Sequence, residues 1–259
     1  MSWDVARGAD EILACETERR DRSPLTDEWA GMTVQEAYAV QDEVLRRKVA
    51  AGEKVIGVKL GLTSEAKQKR MNVSSPLTGW LTDAMVLEPG APVPQDELIH
   101  PRAEPEIVFV LGRPLQGPGV TAESALAAVD RVLAGVEIID SRYADFRFTL
   151  ADVIADNASS AKFVLGDVSL APDALDLVAE AVEVTVDGEV AYKGTGADVQ
   201  GHPAEALALA ANDLAERGLR LEAGWIVLTG GMTDAVFAPP GAQIAAHFTH
   251  LGTVAVHGG

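Results

Sequence analysis

The chain has 259 residues, 47% hydrophobic and 23% charged, enough to bury a large core as one domain or as one domain with a smaller appendage. Its net charge of -18 opposes phosphate backbones and anionic bilayers, so nucleic acid and membrane surfaces are excluded as partners, and no apolar run is long enough to span a membrane. A lone cysteine, Cys15, leaves no intrachain disulfide, and the absence of a basic-then-apolar leader completes the expectation of a cytoplasmic protein.

In chain order, Trp3 to Arg22 reads as helix, broken at Ser23-Pro24. Thr33-Val34-Gln35-Glu36 is a capping box, and the helix it opens carries Val34, Ala37, Tyr38, Gln41, Val44 and Leu45 on one stripe, ending near Ala51-Gly52. Val55 to Gly61 is a short strand, and Ser64 to Met71 reads as helix. Strands are expected at Glu104–Leu111 and Val136–Ile139, with a helix at about Ala122–Leu133 between them, opened by Thr121. Val182 to Tyr192 is a hairpin turning at Asp187-Gly188. His202-Pro203 starts a helix reaching Arg217, and strands at Trp225–Leu228, Gln243–Phe248 and Val254–His257 close the chain. Helices first and strands afterwards predict an α+β body with a small helical N-terminal part, divided as 1–80 and 81–259.

Glu104 and Glu106 lie two apart on a strand, so they share a face, while Ile107, Phe109 and Leu111 take the other. Two ionised carboxylates there need either solvent or a cation. Glu137 sits among Val136, Ile138 and Ile139, where an unpaired carboxylate is costly. A hard divalent ion held by all three satisfies both conditions; a solvated sheet face is the alternative for the Glu-x-Glu pair. Lys59, between Gly57 and Gly61, either snorkels to the surface or faces an anion. Asp156-Asn157-Ala158-Ser159-Ser160 is either a turn of capping residues or a pocket wall lined with donors. His247 and His250 are three apart, so on a strand they face opposite ways and do not chelate one ion. Asp140 and Arg142 read as a local ion pair. No dinucleotide fingerprint, phosphate loop or nucleophile elbow occurs.

Five stretches carry a resemblance. They are Val58-Lys59-Leu60-Gly61-Leu62-Thr63-Ser64, Glu104-Pro105-Glu106, Val136-Glu137-Ile138-Ile139-Asp140-Ser141-Arg142, Ile154-Ala155-Asp156-Asn157-Ala158-Ser159-Ser160 and Leu228-Thr229-Gly230-Gly231. From about Val55 onward the chain resembles the 2-keto-4-pentenoate hydratase and 4-oxalocrotonate decarboxylase group of the fumarylacetoacetate hydrolase superfamily. Ser141-Arg142-Tyr143, Ser159-Ser160-Ala161-Lys162 and Thr229-Gly230-Gly231-Met232-Thr233 look more like the decarboxylase. The resemblance implies a mixed β-roll or barrel core of the fumarylacetoacetase C-terminal type. It also implies Mg²⁺ or Mn²⁺ on Glu104, Glu106 and Glu137, and decarboxylation of 2-oxohex-3-enedioate as in aromatic catabolism. Within that frame Lys59 is the charge stabiliser or proton donor, and Asp156 is either a proton carrier or a structural turn carboxylate. Ser159, Ser160, Leu62 and Thr233 contact the substrate, and Lys162 either places its departing end or is a surface lysine. The family further implies a homo-oligomer that associates with a partner hydratase. The alternatives are a hydratase acting on 2-hydroxypenta-2,4-dienoate and a non-catalytic scaffold subunit.

Overall fold

The computed structural model describes residues 3–64, 68–69 and 76–259. The helix expected at Ser64–Met71 therefore lies largely outside the described residues. Helix α1 (Val5–Glu18) begins at Asp4, whose carboxylate accepts the Arg7 amide at 2.9 Å, and stops where Arg19 turns left-handed at φ 51. After the single turn of α2 (Leu25–Glu28), α3 (Val34–Ala50) opens on the Thr33–Glu36 capping box and closes with Arg47 and Lys48 in its last turn, facing the negative end of the helix dipole. Ala9 and Ile12 of α1 pack with Ala37, Val40 and Val44 of α3 in one buried cluster.

Among the described residues the strands form two sheets. The larger has eight: β1 (Val55–Gly61), β2 (Leu77–Thr82), β3 (Val86–Leu87), β5 (Arg102–Leu111), β6 (Val129–Ile139), β7 (Ser160–Leu170), β10 (Ile226–Leu228) and β11 (Val236–Phe237), in the order β2-β1-β10-β5-β6-β7-β3 with β11 also on β5. The smaller has five: β4 (Pro92–Val93), β8 (Ala181–Val186), β9 (Glu189–Thr195), β12 (Gln243–Phe248) and β13 (Gly252–Gly258), in the order β4-β13-β12-β8-β9. The division expected at 80/81 runs through the larger sheet, because β1 pairs in parallel with β10.

Helix α4 (Ala122–Leu126) is short, so the helix expected to reach Leu133 ends seven residues early. Strand β6 takes over at Val129 and pairs with β5 from Leu111↔Val129 to Arg102↔Ile139. Its β-branched residues fit this long pairing, and the tertiary partner overrides the helical leaning of the Ala- and Leu-containing run. Helices α5 (Leu150–Ala155) and α6 (Pro203–Glu216) complete the fold. The main core lies between the sheets and under α6, built from Ile107, Phe109, Val136, Ile138, Val184, Leu207, Ile244 and Val254. The other face of the β5–β6 ladder, carrying Val108, Val110 and Leu133, therefore also carries Arg102, Glu104, Glu106 and Glu137.

Candidate metal centre and active site

Glu104 and Glu137 are directly opposite in the β5–β6 register, and Glu106 is one strand repeat further along. Each offers a carboxylate oxygen within 4.8 Å of the others. Glu106 and Glu137 are completely buried, while Glu104 stands at the edge of a pocket of about 860 Å³. Like charges so placed on neighbouring strands repel. Burial pushes the Glu106 carboxyl well above its ordinary range, and repulsion from Glu137 pushes it further. Burial raises Glu137 too, against the opposing pull of Lys59.

Lys59 does not snorkel. Its side chain is buried, with Nζ 2.9 Å from Glu137 Oε2 and 3.0 Å from the Ala158 carbonyl. Burial alone would lower its ammonium, but Glu137, Glu106 and Glu104 together raise it, so it stays charged. Gly79 of β2 lies opposite Lys59, and a Cβ there would come within 3.1 Å of Lys59 Cγ and 2.8 Å of the Asn157 carbonyl. The turn Asn157–Ser159 holds three successive residues in the left-handed region, at φ 51, 54 and 59. Asn157 clips it to β2 through both ends of its amide, accepting from Trp80 N at 2.7 Å and donating to Trp80 O at 2.9 Å. That strained turn delivers the Ala158 carbonyl to Lys59.

Backbone and hydroxyl donors fix the two buried carboxylates. Ser160 Oγ donates to Glu137 Oε1 at 2.7 Å, and Gly230 N to Glu106 Oε2 at 2.7 Å. Glu106 Oε1 is buried with no hydrogen-bond partner among the described residues. An orphaned oxygen beside two further carboxylates fits a hard divalent cation with oxygen ligands. With all four groups charged the cluster carries a formal -2, which such a cation neutralises. Gly230 has φ +106, and a Cβ on it would lie 2.0 Å from Thr63 Oγ1. Gly230→Ala is therefore expected to destabilise the fold by about 1–3 kcal/mol. It is also expected to loosen the ion by moving the amide that holds Glu106. Thermal unfolding with and without added metal measures both effects, and an unchanged metal-induced rise in Tm would contradict the second.

Several expected contacts are placed differently. Lys162 leaves the site: the β6–β7 register shifts between Ile138 and Ile139, and Lys162 turns to Glu97 at 2.8 Å and the Ala84 carbonyl at 3.3 Å. Ser160 braces Glu137 and does not line the pocket, whereas Ser159 does line it. Asp156 is completely buried, accepts a charged hydrogen bond from Arg142 Nε and another from Ser159 Oγ at 3.2 Å, and does not reach the pocket. Burial raises it to about 6 against the pull of Arg142. In this position Asp156 braces the Asn157–Ser159 turn against Arg142. Asp140 does not pair with Arg142 through its side chain; its carboxylate accepts the amides of Ile99 and His100 at 2.9 and 2.7 Å. Leu62 lines the pocket at φ 56, and the Thr233 hydroxyl donates to the carbonyl of Asp234, a lining residue. His250 binds Glu180 at 2.6 Å and His247 faces Thr253, both away from the pocket.

Arg102 is among the lining residues that the sequence reading did not single out. Arg102 lies two positions before Glu104 on β5, so the alternation linking Glu104 to Glu106 also includes it. Its guanidinium carbon sits 3.8 Å from the ring centroid of Phe146 and 4.4 Å from that of Phe237.

The model of the fumarylacetoacetate (FAA) hydrolase C-terminal family matches residues 50–257. A 4-oxalocrotonate decarboxylase of Pseudomonas sp. (strain CF600) is 44% identical over 246 residues, covering 95% of this chain and 93% of that protein. A 2-hydroxyhexa-2,4-dienoate hydratase of Comamonas testosteroni is also 44% identical, over 92% of this chain and 90% of that protein. The solved 4-oxalocrotonate decarboxylase from Pseudomonas putida G7, complexed with magnesium and adipate, superposes with a TM-score of 0.95 at 42% identity, covering 98% of this chain and 96% of that one.

Proposed function

The chain belongs to the fumarylacetoacetate hydrolase family, and from that premise we propose that it is a metal-dependent carboxy-lyase converting 2-oxohex-3-enedioate to 2-hydroxypenta-2,4-dienoate and CO₂. The observation that carries the reading is the buried Glu104–Glu106–Glu137 cluster with Lys59 against it, opening on a pocket. Glu104, Glu106 and Glu137 would hold Mg²⁺ or Mn²⁺, which when bound supplies Lewis acidity toward a ketone oxygen.

The chain's own groups do the rest. Departure of the distal carboxylate sends an electron pair through the C3–C4 double bond to the C2 oxygen. Lys59 keeps a fixed positive charge and a proton at Nζ where that oxygen gains charge, held ready by Glu137 and the Ala158 carbonyl. Ser159 offers a hydroxyl at the pocket wall, and Leu62, Phe148 and Val153 keep water from the extended carbon chain. The proposal includes a cytoplasmic location, a homo-oligomer and a partner hydratase that consumes the dienol. No described helix is long and apolar enough to cross a membrane.

Hydration of 2-hydroxypenta-2,4-dienoate is the second reading, favoured by the hydratase relative of equal identity. Purified protein given 2-oxohex-3-enedioate and Mg²⁺ is expected to release CO₂ as the dienol's ultraviolet absorbance grows, and to stop on addition of EDTA. Silence in that assay together with water addition to the dienol would replace the decarboxylase with the hydratase.

A further inference from the structure

A dianionic substrate needs two cationic anchors, and Lys59 is committed at the metal end, 2.9 Å from Glu137. Two other cations line the pocket among the described residues. Arg147 is tied to Asp27 at 2.9 Å and is mostly exposed. Arg102 forms no ion pair with any described residue, and its Nε is buried without a hydrogen-bond partner. The rings of Phe146 and Phe237 hold its guanidinium plane. They stabilise the cation through their faces but accept none of its in-plane N–H groups.

We propose that Arg102 binds the second carboxylate of the substrate, and so selects dicarboxylates over monocarboxylates. A guanidinium kept flat and partly desolvated is prepared for a two-pronged carboxylate contact, with little freedom left to lose. The spacing agrees. Residues two apart on a strand are separated by about 7 Å, which places Arg102 that far along β5 from Glu104. Six carbons joined by bonds of about 1.5 Å span roughly 6 Å between terminal carboxyl carbons. One end of such an acid at the glutamate cluster puts the other within reach of the guanidinium. Ile139, opposite Arg102 on β6, and the two phenyl rings leave the intervening wall apolar.

This assignment rests on the proposed reaction for the identity of the substrate, but its test does not require turnover. Binding of 2-oxohexanedioate and of 2-oxopentanoate, both saturated and so unable to lose CO₂ along the proposed route, is measured by calorimetry in the presence of Mg²⁺. Arg102→Met is expected to weaken the diacid by about 10- to 100-fold, the range for a charge-assisted bidentate contact, and the monoacid by no more than about twofold. Arg102→Lys, which keeps the charge but not the flat fork, is expected to fall between. Equal weakening of both acids would make Arg102 a packing residue only, and no weakening of either would remove it from the site; both outcomes overturn the assignment. If Arg102→Met does not fold, Arg102→Gln answers the same question. Wild-type protein that binds both acids yet releases no CO₂ from the unsaturated diacid would refute the reaction while leaving the role of Arg102 decided by the affinities.

Discussion

Glu106→Gln is expected to abolish turnover and lower divalent-metal affinity by more than about 100-fold, because even partners one shell out from a metal cost 10- to 100-fold when removed. The substitution is nearly isosteric and leaves an oxygen to accept the Gly230 amide that now reaches Glu106 Oε2 at 2.7 Å. It removes one negative charge from a completely buried position. The same change relieves the repulsion with Glu137 that, after burial, keeps the Glu106 carboxyl well above its ordinary range. In EDTA the variant is therefore expected to be at least as thermally stable as the parent, while the metal-induced rise in Tm disappears. Elemental analysis of purified protein and melting curves with graded Mn²⁺ check the two halves separately. Undiminished metal content would remove Glu106 from the ligand set.

Lys59→Met separates charge stabilisation from metal retention. The methionine fills most of the lysine's volume, so the cavity term is small. Loss of a preorganised cation beside the developing oxyanion is expected to lower kcat/KM by about 10²–10³-fold or more. Metal binding is expected to hold or tighten, since the ammonium 2.9 Å from Glu137 repels any cation placed among the carboxylates. Without metal the variant leaves Glu137 buried beside Glu106 and Glu104 without the Lys59 counter-charge, a loss of roughly 3–5 kcal/mol that added metal should restore. Near-normal kcat/KM would show that Lys59 only neutralises the empty cluster.

Local chemistry was legible wherever it was self-contained. The Thr33–Glu36 box, the Asp187-Gly188 turn and the strand at Gln243–Phe248 all stand where residue types and period place them. The glutamate cluster could be read because two carboxylates at period two, and a third in an apolar run, must each be solvated or neutralised to persist. The rest depends on partners distant in the chain. The early half of β6 is a strand because β5 lies beside it, which its own residues do not announce. Lys162 and Ser160 look equivalent until the register shift sends them to different faces. Asp156 reads as a free turn carboxylate until Arg142 folds onto it. Arg102 was open to the same alternation argument as the glutamates, but its lack of an acidic partner among the described residues emerges only once Phe146 and Phe237 are brought around it.

The parallel seating of Gly57–Lys59 against Ile226–Leu228 couples segments far apart in the chain. During synthesis, β1 must wait for about 170 further residues before its neighbour emerges from the ribosome. Until then both β1 and β5 present unpaired edges, a state prone to joining with other nascent chains. Truncation before residue 226 would thus leave a chain with all three glutamates but an unclosed sheet, and a premature stop in that region should send the product to aggregates and not to a partly active enzyme.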